Sequence, residues 1–130
     1  MAKITLGNRP ETFPMTVTVQ LHEGGTGAVR LDVFYRTRTE FGGFIDTIMD
    51  EAGVQPAGQS EDDVKFSLRQ AMEKTVDKNA EYIMKIAKGW DLERPFNLAN
   101  VRQLCDEFPG AALDCIDGYR KACQEGRLGN

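Results

Sequence analysis

Two stretches near the start of the chain alternate apolar and polar residues with a period of two. Met15, Val17, Val19 and Leu21 point one way while Thr16, Thr18 and Gln20 point the other. Val29, Leu31, Val33 and Tyr35 repeat the pattern, with Arg30, Asp32 and Arg36 on the opposite face. Between them lies His22-Glu23-Gly24-Gly25-Thr26-Gly27-Ala28. Alternating runs around a glycine-rich loop predict a β-hairpin with one wet face. Ile4 and Leu6 mark a short edge strand ahead of it. After Thr39, read as an N-cap, the period lengthens. Phe41, Phe44, Ile45, Ile48, Met49 and Ala52 form a helical stripe, with Gly53 placed to end it.

Residues 53–60 are the one linker-like stretch and read as an exposed loop. Ser60, Glu61, Asp62 and Asp63 supply a cap and an acidic first turn. Val64, Leu68, Met72, Val76, Ala80, Ile83 and Ala87 then recur every three or four residues. This predicts one long helix from Ser60, with Lys85 and Lys88 in its last turn, Gly89 as its stop and a kink near Asn79. Trp90 to Phe96 is an irregular joint. Asn97 caps a helix carrying Leu98, Val101, Leu104, Cys105 and Phe108. Pro109-Gly110 interrupts, and Ala112, Ile116, Tyr119 and Cys123 continue on a final helix ending at Gly126. The last two helices predict an αα-hairpin. The fold class is α+β: a small N-terminal antiparallel hairpin or sheet, then a mainly helical bundle. The whole of 1–130 is expected as a single domain, 1–38 its hairpin part and 39–130 its helical part.

Composition narrows the function. The chain has 130 residues, 16 basic and 20 acidic, for a net charge of −4. The charges are spread evenly, and an acidic chain without a basic stripe speaks against nucleic-acid binding. No apolar run approaches the roughly 20 residues that span a bilayer. Cys105, Cys115 and Cys123 cannot all pair within one chain, and their spacing matches no zinc pattern. They read as reduced, buried thiols.

No catalytic constellation emerges. The single histidine, His22, sits in the glycine-rich turn and reads as a solvated surface residue. Gly24, Gly25 and Gly27 lead into a strand without a following Gly-Lys-Ser/Thr, so they do not form a phosphate cradle. Asp62 and Asp63 belong to a helix N-terminus. Asp106, Glu107, Asp114 and Asp117 fall on polar helix faces, and Cys105 has no nearby histidine to activate it. Neither a cofactor nor a metal is expected. What stands out is aromatic. Trp90, Phe96, Phe108 and Tyr119 cluster in the last third, and Phe34 stands on the hairpin face that should be wet. These five are the candidate partner-binding residues. Two readings stay open for the four in the last third: they pin the αα-hairpin against the long helix, or they rim a groove for a partner helix. Phe34 marks a second layer or a subunit contact.

The C-terminal third also carries a resemblance. Lys88-Gly89-Trp90-Asp91, Pro95-Phe96-Asn97, Leu104, Phe108-Pro109, Ala112, Ile116, Tyr119 and the terminal Leu128-Gly129-Asn130 resemble the tail assembly chaperones of long-tailed bacteriophages. Phe34-Tyr35-Arg36 leading to Thr39-Glu40 is similar to that family too. The resemblance covers about residues 30–130. It implies a non-enzymatic factor in the host cytoplasm, absent from the mature virion. Such a factor binds the phage tape measure protein, keeps it soluble and promotes tail tube assembly. It also implies self-association and, through a programmed frameshift near the end of the gene, a longer form that recruits the tail tube protein. Leu128-Gly129-Asn130 can be encoded CTG-GGA-AAC, which contains the slippery heptamer G-GGA-AAC. The rival from another class is a virion structural protein, such as a head–tail connector or tail terminator subunit.

Overall fold

The structure is a computed structural model that describes residues 4–7, 9–52, 62 and 76–126. Strand β1 (Thr12–Gln20) pairs antiparallel with β2 (Thr26–Phe34), from Thr12 opposite Phe34 to Gln20 opposite Thr26. The period-two reading holds within the strands: Met15, Val17, Val19, Val29, Leu31 and Val33 are buried, joined by Phe13, and Thr16, Thr18, Arg30 and Asp32 are exposed, whereas Leu21 and Tyr35, just past the strand ends, are only half-buried. Each such apolar side chain contributes about 1.5–3 kcal/mol on burial. The turn needs its glycines. Gly24 and Gly25 have φ of 96° and 77°, where an L side chain is strained. Gly24 N–H donates to the Leu21 carbonyl and Leu21 N–H to that of Gly25, each at 3.1 Å.

Helix α1 (Arg38–Ala52) follows. Its cap is Thr37 rather than Thr39. Thr37 Oγ1 accepts from Glu40 N–H at 3.2 Å, and Glu40 Oε1 accepts from Thr37 N–H at 2.9 Å. This is a capping box, each end satisfying the other's orphan donor. Phe41, Ile45, Ile48 and Met49 are buried as the stripe required.

Of the expected long helix, α2 (Val76–Ile86) is described and runs unbroken through Asn79. The loop 53–60, Gly53, and most of 60–75 lie outside the described residues, and so do Leu128-Gly129-Asn130. The helix does not continue to Gly89. Ala87–Trp90 is a third strand, β3, pairing antiparallel with β2 on the side away from β1. Trp90 lies opposite Leu31, and Ala87 opposite Val33, with an irregularity between Asp32 and Val33. Asp91 closes this edge: its N–H donates to the Arg30 carbonyl at 3.0 Å, and its Oδ1 accepts from Arg30 N–H at 2.9 Å. Ile4 and Leu6, expected in an edge strand, are instead outside the sheet and almost fully exposed.

Helices α3 (Leu98–Glu107) and α4 (Pro109–Gln124) complete the described elements. Asn97 caps α3 as expected, its side chain accepting from Asn100 N–H at 2.9 Å. Leu98 lies half-exposed rather than on the buried face. Helix α4 is the hub. It packs against β1, α1, α2 and α3, and buries Ala111, Ala112, Cys115, Ile116, Tyr119, Ala122 and Cys123. Gly118 brings its backbone close to Met15: a Cβ there would lie 3.5 Å from the Met15 sulfur. Arg120 is buried too, 4% exposed, and is neutralised by Asp117 at 3.3 Å and Glu125 at 3.1 Å. The architecture is α+β, a three-stranded antiparallel sheet with one face covered by helices.

Candidate functional site

Two aromatic clusters divide the candidate residues. The first is enclosed. Tyr119 is wholly buried and forms no part of any surface of this fold. Its hydroxyl donates to the Phe34 carbonyl at 2.6 Å and accepts from Arg36 Nη1 at 2.8 Å. Its ring lies 5.8 Å from that of Phe41 and 6.4 Å from that of Phe44. Arg36, expected on the outer face, turns inward, 4.1 Å above the Phe44 ring. β2 ends at Phe34, so the strand alternation no longer governs residues 35 and 36. Phe34 is half-buried on the outer face, and what the interior uses is its carbonyl.

The three thiols share the interior. Burial pushes Cys105 up to about 11 and Cys115 up to about 12, with Cys105 adding to the latter. Burial likewise raises Cys123 and lifts Tyr82 well above the ordinary phenol value. Thiols held protonated in this way are poor nucleophiles and poor metal ligands. Among the described residues no group of three or more His, Cys, Asp or Glu side chains is placed to hold a metal ion. No helix among them is long and apolar enough to cross a membrane.

The second cluster is on the surface, and Phe108 is its centre. Proline disfavours helical geometry in the residue before it and has no N–H to continue a ladder. Pro109 therefore breaks the chain into two helices, with Phe108 as the single residue between them at φ −132° and ψ 71°. Phe108 N–H closes α3 on the Leu104 carbonyl at 2.8 Å, and its own carbonyl accepts from Ala111 N–H at 3.0 Å to begin α4. The half-buried ring is thereby held at the joint. His22, from the hairpin turn, stacks on it at 4.4 Å with 11° between the planes. His22 Nε2 donates to the Glu107 carbonyl at 2.8 Å.

A cleft opens on each side of this stack. One, about 360 Å³, is lined by Trp90, Leu92, Arg94, Gln103, Leu104 and Phe108. Trp90 is half-buried and fixed twice: its indole N–H donates to the Arg94 carbonyl at 2.7 Å, and its ring meets Phe96 edge-on at 5.3 Å. Asn100 Nδ2 ties the same joint to α3 through the Pro95 carbonyl at 2.8 Å. Leu92 is 37% exposed at the rim, beside Glu93, Arg94 and Glu107. The other cleft, about 470 Å³, lies between the far end of β1 and the first turn of α4, lined by Val19, Leu21, His22, Phe108, Pro109 and Ala111 among others. Both have apolar floors and polar rims, a form that accepts apolar side chains.

Trp90, Phe96 and Phe108 are thus brought together, while Phe34 and Tyr119 meet each other elsewhere. Sequence reasoning missed His22, because its contacts with Glu107 and Phe108 span 85 or more residues. It also passed over Leu92, although an apolar residue in a polar joint beside Trp90 was a legible signal. No curated protein and no solved structure matched the chain. A family model described as phage tail assembly chaperone matches residues 1–130. That match runs through the hairpin, the Trp90 joint and the Phe108 break alike, and the chain belongs to the phage tail assembly chaperone family.

Proposed function

We propose that this chaperone binds the tape measure protein through the Trp90–Phe108 cleft and keeps it soluble while the tail tube assembles. The observation that carries the reading is the cleft itself, an apolar floor of Trp90, Leu104 and Phe108 with exposed Leu92 at its rim. A long helical protein awaiting its tube presents apolar stripes with nothing to cover them. A volume of about 360 Å³ admits side chains from one face of such a helix, the helix-in-groove mode. Many copies along one chain gain avidity without any tight single site, and weak individual contacts let tube subunits displace them. The work takes place in the host cytoplasm, without catalysis, and the chaperone does not remain in the virion.

Co-expression with the tape measure protein tests this. The expected result is a soluble complex with the wild type and loss of both solubility and complex with Leu92→Asp, whose side chain is exposed enough to change without unfolding the protein. A tape measure protein no more soluble with the chaperone than without it overturns the proposal. Recovery of the protein from purified particles would instead support a virion structural subunit.

A further inference from the structure

We infer that the second cleft, at the free edge of β1, receives the N-terminal arm of another copy of this chain as an added β-strand. Among the described residues β1 is an edge strand. Tyr35 N–H bonds to the Glu11 carbonyl and Leu21 N–H to that of Gly25, so the odd-numbered residues of β1 are the ones bonded to β2. Antiparallel ladders alternate, and the backbone groups of Thr12, Pro14, Thr16, Thr18 and Gln20 therefore face away from the sheet. Pro14 has no N–H and blunts the first half of this edge. The open half is Thr16–Gln20, and it borders the 470 Å³ cleft, whose wall includes Thr18 and Gln20 and whose floor includes Val19, Phe108 and Ala111. An extended segment added here gains main-chain hydrogen bonds and drops alternate side chains into the cleft.

The chain carries such a segment. Ile4 and Leu6, two residues apart, are 91% and 93% exposed. Alternate residues of a strand share a face, so both enter one cleft together. The arm's own sequence supplies Lys3, and the cleft rim supplies Glu107 and Asp114. Leu6 cannot occupy the cleft of its own chain. Arg9 is held at the start of β1 by Glu40 and by the Tyr35 ring, 5.0 Å away. Glu11 to Thr18 is seven residues, about 23 Å of strand, whereas Leu6 lies three residues from Arg9, at most about 11 Å. The occupant is therefore a second copy. Reciprocal exchange closes a dimer, and exchange passed from copy to copy builds a ring where the rotation closes and an open filament where it does not.

Light scattering and sedimentation of the purified full chain, without tape measure protein, test this apart from the proposed function. Wild type is expected to associate as concentration rises, and Ile4→Asp/Leu6→Asp to weaken association about a hundredfold, since two apolar side chains lose their burial. Thr18→Pro, which removes an outward N–H and none that bonds to β2, as Pro14 already does in the same strand, is expected to do the same with the thermal midpoint nearly kept. A labelled peptide of residues 1–9 should bind the Ile4→Asp/Leu6→Asp protein saturably and fail to bind once Thr18→Pro is added. A wild type that stays monomeric, an arm variant that associates as tightly as wild type, or a peptide that ignores Thr18→Pro overturns the inference.

Discussion

The two aromatic clusters both gather phenylalanines around a ring with a polar handle, and they differ in what the polar atoms do. Around Tyr119 the rings of Tyr119 and Phe41 are fully buried, half-buried Phe44 is covered by Arg36, and the hydroxyl is held from both sides, by Arg36 and by the Phe34 carbonyl. Around Phe108 the rings are half-buried, and the polar bonds of Trp90 and His22 run to backbone carbonyls of the joints that carry the rings. The first arrangement spends its contacts on the fold. The second fixes ring positions while leaving ring faces open to the clefts. An aromatic residue near the C-terminus of this chain is thus informative only with its burial and its hydrogen-bond partner in hand.

The contrast can be broken by substitution. Tyr119→Ala should cost about 3–5 kcal/mol in denaturant unfolding, the range for truncating a large core aromatic; a loss as small as that of a surface change would dissolve the distinction. The next effect is on pH. The fold holds the buried thiols protonated to higher pH than the unfolded chain does, so proton binding favours the fold. Stability is full below the ordinary thiol value of 9.0 and is lost as pH rises toward about 11 and 12 for Cys105 and Cys115. Urea melts between pH 9 and 11 should show a fall of at least about 1 kcal/mol per pH unit, and a flat profile would place the thiols outside the enclosed region. Tyr119→Phe should cost about 1–3 kcal/mol, because it strips Arg36 and a buried carbonyl of a partner.

At the surface cluster the fold should be more forgiving. Trp90→Ala is expected to lower stability by about 1–2 kcal/mol, within the common range for a partly buried site, while abolishing tape measure binding. Unfolding on the scale of Tyr119→Ala would make Trp90 a core residue after all. The smallest effect serves as a reference. Thr37→Ala, which removes one half of the capping box and touches neither cluster, should cost about 1 kcal/mol, measured by the same melts.

The hairpin was legible because its signal is local: Met15 to Leu21 alternates without a break, and the glycines sit where φ must be positive. The same holds for Asn97 and for the Pro109 break. β3 was not legible. Ala87 continues the helical period of Val76, Ala80 and Ile83, and Gly89 is disfavoured in strands, so only pairing with Leu31, Asp32 and Val33 makes these residues a strand. The Thr37 cap was present in the sequence as Thr37-Arg38-Thr39-Glu40, and the nearer threonine obscured it. The candidate site was half visible. Trp90, Phe96 and Phe108 could be named from their types, but what gathers them is the joint around Arg94 and Pro95 and a histidine arriving from the far end of the chain. Tyr119 could not be told apart from them, since burial is a property of the assembled fold.

Arg120 carries a consequence for how the chain comes together. Its partners Asp117, Gln124 and Glu125 lie three residues before it and four and five after it, on α4 or its C-cap. Nothing distant has to be found before this charge is matched. Contacts close in sequence form early, since little loop entropy opposes them. The helix can therefore enter the growing interior with its guanidinium already neutralised, whereas Lys85 and Glu51, which pair across 34 residues at 2.8 Å, meet only after α1 and α2 have docked.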